Sequence, residues 1–183
     1  EKIHIGNLES FDDERKVEGK QIKIDNENFY KISNVDKMRP FFMSIVSNSN
    51  HWMFISSTGS LSAGRKNSEF ALFPYYTDDK ITESSETTGS KTILIVKIAE
   101  KKYLWEPFSN NYSGIYNISR NIYKNTIGNK VIFEEINHDL NIEFSYQWNS
   151  SDKYGFIKKS FIKNNSKNDV IINILDGIQN ILP

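Results

Sequence analysis

Leu140-Asn141-Ile142-Glu143-Phe144-Ser145-Tyr146-Gln147-Trp148 is the stretch whose reading decides the fold. Its apolar and polar residues alternate strictly, so a strand places all the apolar side chains, three aromatic rings among them, on one face. A face of that kind has to be buried against a second layer, which points to stacked sheets. Working outward, Asn149-Ser150-Ser151-Asp152 has turn composition and residues 154–163 read as the returning strand. Lys158 and Lys159 are adjacent in that strand and must point to opposite faces, which suits a sheet edge. Upstream, residues 130–136 form another strand candidate.

The same grammar recurs along the chain. Ile22, Ile24, Phe29, Tyr30 and Ile32 flank the polar turn Asp25-Asn26-Glu27-Asn28. Residues 41–47 and 51–57 make a hairpin around Asn48-Ser49-Asn50, and residues 61–66 read as a third short strand. Pro74 interrupts the apolar run 70–76 and excludes a central strand there. Residues 77–90 read as a long polar loop, and residues 109–129 show no clean period. Residues 92–98 are apolar on both faces, which predicts a strand covered on both sides. Residues 170–174 give a final strand, broken at Asp176-Gly177, with residues 178–182 opening a short helix or a linker. The expectation is an all-β, antiparallel β-sandwich over residues 21–175, after an irregular lead-in over residues 1–20. Residues 176–183 would begin a linker. The last fourteen positions crowd Val170, Ile171, Ile172, Ile174, Leu175, Ile178, Ile181 and Leu182 around a single charge, Asp176. That apolar ending suggests a piece of something longer.

Composition agrees. The 183 residues include 12 Phe, 9 Tyr and 3 Trp, a bias towards half-buried strands. There is no cysteine, which excludes a disulfide scaffold and a thiolate nucleophile or zinc site. Twenty-three basic residues balance 23 acidic ones, unlike a chain built to coat nucleic acid or an anionic membrane. No apolar run is long enough for a membrane-spanning helix. No nucleic-acid or membrane partner is therefore expected.

The chemistry-bearing motifs are few. His4, His51 and His138 lack ligand spacing, so no metal is expected. Gly59, Gly64, Arg65 and Lys66 only superficially match a phosphate-binding loop, because no helix follows. Glu134 and Glu135, as strand neighbours, point to opposite faces and cannot be a working carboxylate pair. The aromatics at strand period, Trp52 and Phe54 with Phe144, Tyr146 and Trp148, read as core. Tyr75 and Tyr76 lie outside clean strands, next to Asp78, Asp79 and Lys80. A loop of that make-up suits sugar, whose ring faces stack on aromatics while its hydroxyls hydrogen-bond to charged groups. The plain alternative is a solvated loop whose carboxylates cap turns.

Five segments carry a family resemblance: residues 38–47, residues 51–57, Gly64-Arg65-Lys66-Asn67, residues 71–81 (Ala-Leu-Phe-Pro-Tyr-Tyr-Thr-Asp-Asp-Lys-Ile) and Thr88-Gly89-Ser90-Lys91-Thr92. Together they resemble the N-terminal region of large bacterial proteins related to cellobiose phosphorylase. The resemblance covers residues 35–95 best. It implies a galactose mutarotase-like super-sandwich that supports a downstream (α/α)6 catalytic barrel, helps form a homodimer and lends loops to the sugar site. This chain is shorter than the usual super-sandwich. The resemblance implies a non-catalytic domain contacting oligosaccharide through Arg65, Tyr75, Tyr76, Asp78, Asp79 and Lys80, with no cofactor and no catalytic residue. A stand-alone carbohydrate-binding or adhesion module is the alternative. A bacterial source is implied, with the cytoplasm favoured over the periplasm or secretion.

Overall fold

The computed structural model describes residues 2–6 and 13–183. In chain order the strands are β1 (Ile3–Ile5), β2 (Glu18–Ile24), β3 (Glu27–Ser33), β4 (Phe42–Ile45), β5 (His51–Ser56) and β6 (Leu61–Arg65). A short helix, α1 (Asp78–Glu83), follows. Then come β7 (Gly89–Ile98), β8 (Lys101–Trp105), β9 (Ile118–Asn125), β10 (Lys130–Asn137), β11 (Ile142–Ser151), β12 (Gly155–Asn164) and β13 (Ile171–Gln179).

These strands form a β-sandwich. One layer is a six-stranded antiparallel sheet in the order β12-β11-β10-β9-β3-β2. Opposite it lie a four-stranded sheet, β1-β8-β7-β13, and a three-stranded sheet, β4-β5-β6. Pairing is antiparallel except between β1 and β8. The alternation in β11 does what its sequence requires: Ile142, Phe144, Tyr146 and Trp148 are all buried. Opposite them on β10 are Asn137, Glu135, Phe133 and Val131. Phe133 and Tyr146 stack with ring centres 4.9 Å apart. Leu94, Val96 and Trp105 reach the same core from the four-stranded sheet, as do Met53, Ile55, Leu61 and Ala63 from the three-stranded one.

Local sequence explains most turns. Asp25 and Asn26 both take positive φ (46° and 69°), as the centre of a two-residue hairpin turn between β2 and β3 demands. Lys158 and Lys159 do sit on an edge strand, β12. Residues 71–74 stay out of the sheets apart from a single bridge between Ala71 and Gly64.

Several expectations change. The tail forms no helix: β13 runs through Asp176-Gly177 to Gln179, paired along its length with β7. Asp176 is held by Thr92 (2.6 Å), Lys158 (2.7 Å) and Ser160 (2.7 Å), so side-chain anchoring carries the strand past the glycine. The lead-in contains β1 and the start of β2; its residues 1 and 7–12 lie outside the described residues. The loop at residues 77–90 contains α1. Within residues 109–129 lies β9, hidden in the sequence because Asn121 and Asn125, both buried, sit where apolar residues are expected.

β7 is covered on one face only. Leu94 and Val96 are buried, whereas Ile93 and Ile95 turn outward. The register places Leu104, Ile5, Leu175 and, further along, Ile3 and Ile171 on that same outward side. Ile3, Ile5, Ile171 and Leu175 are 51%, 51%, 65% and 69% exposed. This sheet thus presents an outward face of isoleucines and leucines, interrupted by Lys97, Lys102 and Asn173, that nothing among the described residues covers.

Candidate functional site

Strand parity separates the residues singled out from the sequence into two groups. In the three-stranded sheet, His51 pairs with Arg65, Met53 with Ala63 and Ile55 with Leu61, so these six share one side. That side carries the core residues Met53, Ile55, Leu61 and Ala63, with His51 and Arg65 at its margin. Trp52, Phe54, Ser62 and Gly64 occupy the other, outer side.

The outer side gathers the aromatic loop. Tyr75 meets Trp52 edge to face, ring centres 5.7 Å apart, and Trp52 lies 6.0 Å from Phe54. Tyr75 is 61% exposed, Phe54 44% and Tyr76 42%. Trp52 and Phe54 therefore depart from the core role expected of them. Met53 and Ile55 form a second apolar set in the same strand, and the tertiary packing selects that set for the core. Gly64 permits the arrangement, since a Cβ there would fall 2.6 Å from Trp52 Cζ2 and 2.6 Å from the Phe70 carbonyl oxygen.

Helix α1 lies over the same outer side. Its Ile81 is buried, and Thr82 Oγ1 is 3.5 Å from Ser56 Oγ. This seats Asp78, Asp79 and Lys80 in the first turn, where the carboxylates suit the positive helix end. Asp79 accepts a short hydrogen bond from the Thr77 hydroxyl. That bond, with the Lys80 backbone N–H, holds its carboxyl below the usual aspartate range. Asp78 has no side-chain partner among the described residues. Lys80 makes only a loose contact with Glu83, 3.9 Å with both side chains well exposed. The structure thus brings Tyr75 against Trp52 and Phe54, with Tyr76, Asp78, Asp79 and Lys80 following in the chain on the segment that leads into α1. Arg65 is left on the other side of the sheet. The arrangement can stack against a flat ring and accept hydrogen bonds from hydroxyls.

Arg65 lines a separate cleft with His51, Trp148 and the β11–β12 turn. Beyond turn composition, no sequence signal links that turn to Arg65, because the residues involved are about ninety positions apart.

The other acidic candidates have structural partners. Glu135 is 1% exposed and accepts from Trp105 Nε1 (2.9 Å), the Phe108 N–H (2.7 Å) and Arg120 Nε (2.7 Å). Glu134, on the opposite face as strand geometry requires, accepts from Asn121 Nδ2 (2.5 Å) and the Tyr123 hydroxyl (2.7 Å). Glu86 receives Ser109 Oγ, the Asn110 N–H and Lys91 Nζ. Among the described residues, no three His, Cys, Asp or Glu side chains cluster as metal ligands. No protein-family model and no curated protein sequence matches the chain.

Proposed function

We propose that this chain is a carbohydrate-contacting β-sandwich domain of a protein resembling the glycoside phosphorylases and hydrolases. It frames sugar and supports a catalytic (α/α)6 domain, without supplying catalytic groups itself. The observation that carries the reading is the exposed pair Tyr75 and Phe54 against Trp52, followed in the chain by the exposed Tyr76 and the unpartnered Asp78. Exposed rings, one of them braced against Trp52 of the sheet, next to a free acceptor, are the chemistry that a pyranose requires. The uncovered isoleucine and leucine side chains on the outer face of the four-stranded sheet support the second half of the proposal, because exposed apolar side chains grouped on a sheet face suit a docking surface for another domain.

The test is calorimetric titration of the chain with neutral β-linked oligosaccharides. Tyr75→Ala and Tyr76→Ala should each weaken binding about two- to ten-fold, the range expected for lost ring contacts. Asp78→Ala should act in the same direction. If the chain binds sugar with none of these variants affected, the contact assignment is wrong. If the chain binds no sugar and the same variants leave turnover by the whole protein unchanged, the carbohydrate reading itself fails. Binding by the chain alone favours a self-sufficient module, since every residue of the surface comes from this sequence.

A further inference from the structure

At one end of the sandwich the start of β5, the end of β6, the β11–β12 turn and the C-terminal stretch enclose a cleft of about 360 Å³. Leu72 and Ile181 belong to its apolar wall. The Leu182 N–H donates to the Leu72 carbonyl at 2.8 Å and pins the C-terminal stretch in place. Facing it are Phe156, edge-on to His51 at 5.4 Å, and Tyr154, which is 69% exposed.

The charged groups of this cleft are exposed and open to a ligand. Among the described residues the Arg65 guanidinium and the Asp152 carboxylate have no hydrogen-bond or ion-pair partner. Lys153 lies 5.0 Å from the Tyr154 ring centre and pairs with no carboxylate. His51 Nδ1 is taken by Ser49 Oγ at 2.5 Å, which leaves Nε2 for another group. A Cβ on Gly155 would come within 3.1 Å of that Nε2, and Gly155 has a φ of +75° that side chains rarely adopt. Glycine there keeps the imidazole edge clear.

We propose that this cleft binds a sugar ring carrying an anionic substituent, a carboxylate or a phosphate ester. Two unpaired cations against one carboxylate set the charge. The planar guanidinium fork of Arg65 matches either anion in bidentate fashion. Asp152 and His51 Nε2 are placed for ring hydroxyls, and Phe156 and Tyr154 supply the aromatic wall. The ring half of the proposal rests on the carbohydrate reading above. The anion half rests on Arg65 and Lys153, and Arg65 lies on the opposite side of the three-stranded sheet from the Trp52–Tyr75 pair.

The experiment is an amide-shift titration of the isotope-labelled chain with glucuronate, a hexose phosphate, glucose and inorganic phosphate. At least one anionic sugar should bind about ten-fold or more tightly than glucose and than inorganic phosphate. Its shifts should fall on residues 51, 65 and 152–156 and not on residues 75–80. Arg65→Gln should remove that preference while leaving thermal stability unchanged. The tighter of the two anionic sugars then identifies the substituent. Equal affinity for glucose, equal affinity for inorganic phosphate, or an Arg65→Gln chain that keeps the preference each overturns the proposal. Neutral oligosaccharides shifting residues 75–80 while the anionic sugars leave the cleft untouched would reject this site and retain the function proposed above.

Discussion

Glu135 is a buried carboxylate with three donors from three separate places: Trp105 on β8, Phe108 in the loop after it, and Arg120 on β9. It clasps the two layers of the sandwich together. Its neighbours show what the clasp demands. Phe108 is held at a φ of +66°, a region side chains rarely enter, and in return its N–H reaches Glu135. Its ring stands edge-on to Tyr146 at 5.2 Å. Arg120 also donates to Asn110 Oδ1 and the Ser109 carbonyl, both at 2.8 Å. Removing the carboxylate takes the acceptor from the Trp105 indole N–H, the Phe108 N–H and the Nε of the largely buried Arg120. Glu135→Ala should therefore cost about 3–5 kcal/mol, and Glu135→Gln less, since the amide keeps one acceptor. Chemical denaturation measures this; equal midpoints for Glu135→Ala and the parent chain would show that the clasp contributes nothing.

At the scale of elements, the three-stranded sheet depends on close approach. Gly64 sits where β6, the Trp52 ring and the segment at Phe70-Ala71 converge, and an added Cβ would meet Phe70 O at 2.6 Å and Ala71 Cα at 2.8 Å. Two of the three nearest atoms are backbone, so a rotamer change offers no relief. Gly64→Ala should cost about 1–3 kcal/mol by overpacking. The Tm should fall by roughly 2–4 °C for each kcal/mol in a chain of this size. Because Trp52 supports Tyr75, the same substitution should also weaken sugar binding; an unchanged Tm with unchanged binding would contradict the packing argument. The edge strands show a second element-scale device. Lys158 turns inward to Asp176 at 2.7 Å and lies 5.7 Å from the Tyr146 ring centre, while Lys159 faces water. A charge on each face of β12 discourages further strand pairing at that edge.

For the whole molecule, carboxylates set the response to acid. Burial by itself would raise the Asp176 carboxyl, but hydrogen bonds from Lys158, Thr92 and Ser160 outweigh it and hold the group below its ordinary value of 3.8. Hydrogen bonds from Arg15 and Lys37 hold Asp13 far lower still. The hydrogen bond from Lys130 lowers Glu27. Folded-state values below unfolded ones mean that the unfolded chain takes up protons first. The stabilisation is complete above the ordinary carboxylate range and is lost as pH falls through the depressed values. Thermal stability should be flat from neutrality to about pH 5 and decline below it. Asp176→Asn should lower the plateau and reduce the acid slope. A slope identical to that of the parent chain would remove Asp176 from the account. Asp176 also matters for assembly, since it ties β13 and β7 of one layer to β12 of the other.

The sequence by itself determined the class. The alternation in residues 140–148, the turn residues at 25–28 and the paired lysines of β12 are local signals, because strand geometry turns them directly into faces and edges. It also singled out Tyr75, Tyr76 and Asp78–Lys80, which are neighbours in the chain and needed no folding to be associated. Tertiary structure alone decided three things. It chose which of the two apolar sets in β5 is buried, a choice that periodicity leaves open when both faces are apolar. It left the outer face of β7 uncovered, which depends on what packs there and not on β7 itself. It moved Arg65 away from the tyrosines and beside Asp152 and Tyr154, because a side chain's face follows from pairing partners and a cleft is assembled from segments distant in sequence.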